Sequence, residues 1–160
     1  NLFKNGADKV VINTHAVQRQ ADIIDKAAKT FGSQAVVVNI EAKKHTNSYE
    51  CFTDCGRIQS KKDVYKWAKE VESRGAGEIF LQSVDKDGRK NGFDIELASE
   101  VVNSVKIPVV IGSGAGKKSH ILELIKKVNP SGVAVASLFH YDQITVGGLK
   151  QYLIDNGIKL

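Results

Sequence analysis

Five short runs rich in β-branched residues recur along the chain: Lys9-Val10-Val11-Ile12, Ala35 to Ile40, Glu78 to Val84, Ile107 to Ile111, and Gly132 to Ala136. Each is near-continuous rather than strictly alternating, the pattern of parallel strands buried on both faces. The segments between them space their apolar residues by three and four. Ala21 to Phe31 places Ile23, Ile24, Ala27, Ala28 and Phe31 on one helical face, and Lys62 to Arg74 does the same with Val64, Trp67, Ala68 and Val71. Leu97 to Val105 and His120 to Val128 follow the same spacing. Strand and helix alternate throughout, which predicts an α/β chain of parallel βαβ units. Gly6, Gly32, Gly75 and Gly157 stand where helices end, as left-handed C-caps would. The longer connection Lys43 to Lys61 contains Ser48 to Thr53 followed by Asp54-Cys55-Gly56-Arg57, which reads as a small hairpin. No linker or low-complexity stretch interrupts the series, so residues 1–160 read as one domain.

Composition narrows the functional classes. A chain of 160 residues can bury a core of its own, and 42% hydrophobic with 26% charged residues is ordinary for a globular protein. No apolar run reaches the roughly 18–20 residues of a membrane helix, and no signal peptide opens the chain, so the reading is a cytoplasmic protein without a membrane partner. Asn1 in place of Met, with Leu2, Phe3 and Gly6 reading as the tail of an element, suggests a fragment or processed product. Cys51 and Cys55 lack a second pair that would complete a zinc site, and are expected as reduced thiols. His15, His45, His120 and His140 show no metal-ligand spacing, so no metal is expected. A net charge of +5 points to anionic partners. Scattered basic residues and few aromatics argue against nucleic acid and for a phosphorylated small molecule.

Candidate chemistry gathers at the ends of the strand runs. No Gly-x-Gly-x-x-Gly follows the first run, which disfavours a dinucleotide fold and its cofactor. Glycine and small hydroxyl residues instead follow the last two, as Gly112-Ser113-Gly114-Ala115-Gly116-Lys117 and Ala136-Ser137. Small residues let backbone N–H groups approach a phosphate, and the last two loops of many (β/α)₈ barrels bind one. A tight βα turn without a ligand is the alternative for either loop alone. Asp85 and Asp87 end the third run and enter a glycine turn, where barrel catalytic groups sit, although either could cap its own loop. Asn13 and Glu41 also end strand runs, so all four groups are expected at one mouth. The bland alternatives are a helix cap for Asn13 and an ion pair with Lys43 or Lys44 for Glu41.

A family resemblance joins these pieces. Gly6 to Thr14, Phe31 to Val38, Arg74 to Ile79, Asp85-Lys86-Asp87-Gly88, Gly92-Phe93-Asp94, Gly114 to Lys117 and Ala136 to His140, in this order and spacing, resemble the cyclase subunit of imidazole glycerol phosphate synthase over the full chain. The resemblance implies a (β/α)₈ TIM barrel, of which this chain would be the C-terminal five βα units, strands four to eight. It implies a glutaminase partner subunit in a heterodimer, delivering ammonia to the N-terminal end of the barrel. At the opposite face the ammonia would cleave and cyclise a phosphoribulosyl-formimino aminoimidazole carboxamide ribonucleotide. The products would be imidazole glycerol phosphate, for histidine biosynthesis, and aminoimidazole carboxamide ribotide, with no cofactor. Glu41, Asn13 and Asp87 would be the catalytic positions, and Lys9 would stand at the ammonia entrance. Ser113, Gly114, Ala136 and Ser137 would cradle a phosphate, with Gln82 beside the substrate.

Two positions depart from the family pattern. Glu41 stands where the family has aspartate, and Gln82 where it usually has threonine. The extra methylene of Glu41 shifts a carboxylate by about an ångström, enough to cost about 10²-fold in rate. Such substitutions resemble second-copy paralogues that sit beside sugar-amidation enzymes of surface polysaccharide synthesis. An ammonia-channelling role in that amidation is therefore the alternative reading, and a non-catalytic barrel fragment that only binds phosphate or a partner is a third.

Overall fold

The β-branched runs become five parallel strands in the computed structural model, which describes residues 2–160: β1 (Val10–Ile12), β2 (Val36–His45), β5 (Glu78–Ser83), β6 (Val109–Gly112) and β7 (Gly132–Val133). They lie in sequential order, with β1, β5 and β7 following one another through β2 and β6 in parallel register. A helix separates each from the next: α1 (Thr14–Gln18) and α2 (Asp22–Phe31), then α3 (Val64–Ser73), α4 (Ile95–Ser104) and α5 (Lys118–Val128). After β7 come α6 (Ser137–His140) and α7 (Val146–Asp155). This succession of parallel βα units is TIM-barrel-like.

The connection at Lys43 to Lys61 forms the expected hairpin, β3 (Ser48–Thr53) and β4 (Ile58–Asp63), and it lengthens β2. The first part of β2 pairs with β1, whereas Glu41 to His45 pair antiparallel with β3 on the same edge. β2 therefore runs to His45, beyond the expected end at Ile40. The polar Lys43-Lys44-His45 segment is held by the backbone ladder rather than by apolar burial.

Neighbouring residues of a parallel ladder share a face, so the register sorts the side chains into rows. Val36, Val38, Ile40, Ile79, Leu81, Val109 and Ile111 face the helices, where they meet Ile24, Trp67, Val71, Leu97, Ile121 and Leu124; all are buried. Truncating Leu81, 1% exposed, to alanine would cost about 2–5 kcal/mol. The other face carries Val11, Val37 and Glu78 in one row, Asn39, Phe80 and Val110 in the next, and Glu41, Gln82 and Gly112 at the C-terminal ends. The expectation of burial on both faces fails here: Val11 is 62% exposed, and Phe80 and Val110 are half-buried. β1 and β7 each pair on one side only among the described residues, so nothing closes over this inner face.

Side-chain caps fix the helix starts. Asp63 accepts from Lys66 N–H at 2.9 Å, Asp94 from Leu97 N–H at 3.2 Å and Thr145 from Gly148 N–H at 3.0 Å. Asp94 also accepts from Tyr49 Oη at 2.9 Å, and Lys44 pairs with Glu96 at 2.9 Å, tying the hairpin to α4. Of the glycines expected as helix ends, Gly6 and Gly75 follow helical turns with φ of 90° and 92°. Gly32 has a positive φ but a ψ of 148°, so it turns the chain without the left-handed cap.

Candidate functional site

The row at the C-terminal strand ends opens into two adjoining depressions. The first, about 180 Å³, lies between Gln82, Asp87, Ser113, Gly114, Ala136 and Ser137. The second, about 240 Å³, shares Gln82, Asp87 and Ser113 with the first and adds Glu41, Cys55 and Gly56. Seven of the expected site residues, Glu41 among them, thus line two depressions that share walls. They meet because Glu41, Gln82 and Gly112 share a row, and the loops after β5, β6 and β7 leave the sheet on that side.

Ser113 sits at φ 71°, a left-handed conformation uncommon for a residue with a Cβ, and its hydroxyl donates to Asp87 Oδ1 at 3.2 Å. Such strained residues persist where surroundings over-determine them, often at ligand clamps. The N–H groups of Ser113, Gly114 and Ala115 donate to no backbone carbonyl among the described residues. The glycines of this loop have a second reason to be small. A Cβ on Gly114 would lie 2.3 Å from Gly92 O, and one on Gly116 2.0 Å from Lys90 O, because the loop packs directly on residues 90–92. Gly92 N–H donates to Gly114 O at 2.9 Å across that contact.

Glu41 makes no ion pair with Lys43 or Lys44. Its carboxylate accepts from Gly56 N–H in the hairpin turn at 2.9 Å. The hairpin thereby holds the acid at the edge of the concavity, and Cys55 lines the same edge.

One expectation is corrected, and Asn13 and Lys9 stand apart from the two depressions. Asp85 does not reach the mouth: its carboxylate turns back to accept Lys44 N–H at 2.8 Å, securing the end of β2. Asn13 does not line either depression. It precedes α1 at the N-cap position, yet its side chain makes no capping bond, so the simple cap reading fails. Its Oδ1 and that of Asn39, in neighbouring register one step beyond Ile12 opposite Val38, are both buried without a partner. Lys9 lies at the other end of the sheet, paired with Glu78 at 2.7 Å. That pair is half exposed on the lysine side and stabilises the fold by at most about 1 kcal/mol.

Lys90 was not singled out by the sequence, where it is one cation among many; only the fold brings it to the wall of the first depression. The thiols are unpaired, Cys51 buried and Cys55 exposed. Burial pushes the Cys51 thiol up to about 12. His120 accepts from Gly116 N–H at 3.2 Å and supports the glycine loop from behind, if its Nδ1 is the unprotonated nitrogen. Among the described residues no three His, Cys, Asp or Glu side chains converge as a metal would require, and no helix is long and apolar enough to cross a membrane.

The model of a histidine biosynthesis protein family matches residues 1–145. The chain belongs to this family. Curated relatives agree: it is 46% identical over 159 residues to the imidazole glycerol phosphate synthase subunit HisF of Campylobacter concisus, covering 99% of this chain and 62% of that protein. It is 47% identical over 159 residues to the subunit of the same name from Sulfurisphaera tokodaii, covering 99% and 63%. The chain thus spans somewhat under two thirds of the length of these histidine biosynthesis relatives.

Proposed function

We propose that this chain forms the C-terminal five βα units of a (β/α)₈ barrel, and that the whole protein is the cyclase subunit of imidazole glycerol phosphate synthase. The observation that supports the reading is the continuity of the mouth: the depression beside the unbonded amides of Ser113 and Gly114 and the one that holds the Glu41 carboxylate share Gln82, Asp87 and Ser113 as common walls. Free N–H groups at Ser113 and Gly114, with Ala136-Ser137 opposite, would grip one phosphate of a phosphoribulosyl-formimino aminoimidazole carboxamide ribonucleotide. Glu41, fixed by Gly56 N–H, then faces the substrate's centre. Ammonia sheds a proton as it attacks, and the departing amine needs one; a single carboxylate at the mouth can serve both transfers. Lys9 with Glu78 sits at the N-terminal end, where ammonia from a glutaminase subunit would arrive. The half-open inner face is where further βα units would pack.

The identities of Glu41 and Gln82, where the family has aspartate and usually threonine, also support a second reading, in which the ammonia passes to a sugar amidation. The Glu41 carboxylate is bonded to the hairpin turn, and Gln82 lines both depressions. Rescue of a histidine auxotroph lacking its own cyclase subunit, by the protein at its natural length with a competent glutaminase, separates the two. Growth without histidine supports the cyclase; soluble protein without growth favours the amidation.

A further inference from the structure

Lys90 carries the one positive charge among the side chains walling the cradle. It makes none of the ion pairs found among the described residues. Its ammonium instead rests over the ring of Tyr141, 4.3 Å from the centroid, at the far side of α6. Its backbone is not free to drift. Lys90 O packs against Gly116 so closely that a Cβ there would lie 2.0 Å away, and two residues on Gly92 N–H is bonded to Gly114 O at 2.9 Å. The lysine therefore springs from a segment locked to the same loop that presents the free amides of Ser113 and Gly114.

From this placement we infer that Lys90 is the cationic ligand of the phosphate, held at the rim by Tyr141 and drawn onto the anion when it binds. The inference rests on the reading of the pocket as a phosphate cradle and adds a selectivity to it. Backbone amides alone accept any small anion or polar group, whereas a nearby ammonium rewards the full negative charge of a phosphate ester. Tyr141, 60% exposed, acts as a positioning residue: its ring face gives the ammonium a resting place that solvent can still reach. The lysine's flexible stem lets it leave that place without moving the loop.

The test is calorimetric titration of the natural-length protein with glycerol 3-phosphate at low and moderate salt, using wild type, Lys90→Met, Lys90→Arg, Tyr141→Phe and Tyr141→Leu. Lys90→Met is expected to weaken binding about 10- to 100-fold, the loss of one charge-assisted hydrogen bond, and to flatten the salt dependence. Lys90→Arg should retain most of the affinity, and Tyr141→Phe should match wild type. Tyr141→Leu should tighten binding about 2- to 5-fold, the scale of an exposed cation–π contact that the lysine gives up when it moves onto the anion. All five proteins should melt within a few degrees of one another, which excludes a general loss of structure. Lys90→Met that binds within 2-fold of wild type, with unchanged salt dependence, overturns the role of Lys90 while leaving the cradle intact. Wild type that binds no glycerol 3-phosphate overturns the cradle itself and the inference with it.

Discussion

Replacing Gly114 with alanine probes how far the cradle loop is shaped by packing rather than by ligand. Two costs combine. The residue sits at φ +103°, where a side chain costs about 1–3 kcal/mol. The new Cβ would stand 2.3 Å from Gly92 O, and since real Cβ atoms essentially never approach within 3.0 Å, that carbonyl must retreat by at least 0.7 Å. The retreat stretches the 2.9 Å bond from Gly92 N–H to Gly114 O, which contributes about 1 kcal/mol. The expected destabilisation is about 2–4 kcal/mol in urea unfolding followed by tryptophan fluorescence and circular dichroism. Gly88→Ala is the control: it has φ +69° with nothing within 4 Å, so only the backbone cost, about 1 kcal/mol, applies. Gly147→Ala, in α7 with open space around it, should stabilise by about 0.5–1 kcal/mol. If Gly114→Ala cost no more than Gly88→Ala, the packing of the cradle on residues 90–92 would be refuted. The same reasoning makes Gly114→Asp a poor probe of anion binding, because it disturbs the loop before any ligand arrives.

Other outcomes follow from the site and the core. Glu41→Gln should lower turnover by about 10²- to 10⁴-fold in a steady-state cyclisation assay, the usual weight of a general acid–base group, while phosphate affinity stays within 2-fold. At pH 8 iodoacetamide should label Cys55 alone, with Cys51 reacting only after denaturation, because burial holds its thiol protonated up to about 12; mass spectrometry counts the adducts. Tyr49→Phe should destabilise by about 1–2 kcal/mol at pH 7 through loss of its bond to Asp94. Burial and the neighbouring Asp94 hold the Tyr49 hydroxyl protonated well above the ordinary tyrosine range. The folded chain thus keeps a proton that the unfolded chain releases from about pH 10, and stability falls as pH rises through that region. Tyr49→Phe should flatten this alkaline decline in a series of melting curves.

The strands were legible because β-branched runs in a βα protein leave few alternatives. What escaped reading was carried by contacts distant in sequence. Lys43-Lys44-His45 has no apolar signal and becomes strand only because β3 folds back onto it. Helix α7 begins Val146-Gly147-Gly148, two poor helix formers, and is secured by the Thr145 cap and by burial of Leu149 and Leu153 one turn apart. Thr14 to Gln18 is too short to show a period. At the site, Glu41 and Asp87 were legible from their place at strand ends, and Gln82 only through the family resemblance. The divergence of Asp85 from Asp87 was not, since it depends on Lys44 N–H arriving from another strand. The glycine loop reads as a ligand loop, and the close approach of residues 90–92 gives its glycines a reason that the sequence does not show.

The most direct test of the central claim is ammonia-driven turnover in vitro. The purified natural-length protein, given phosphoribulosyl-formimino aminoimidazole carboxamide ribonucleotide and an ammonium salt at alkaline pH, needs no glutaminase, and chromatography resolves the products. The account predicts imidazole glycerol phosphate and aminoimidazole carboxamide ribotide in equal amounts, at a rate that collapses in Glu41→Gln. Substrate that binds but is returned unchanged, with ammonia in excess and the protein folded, would contradict it.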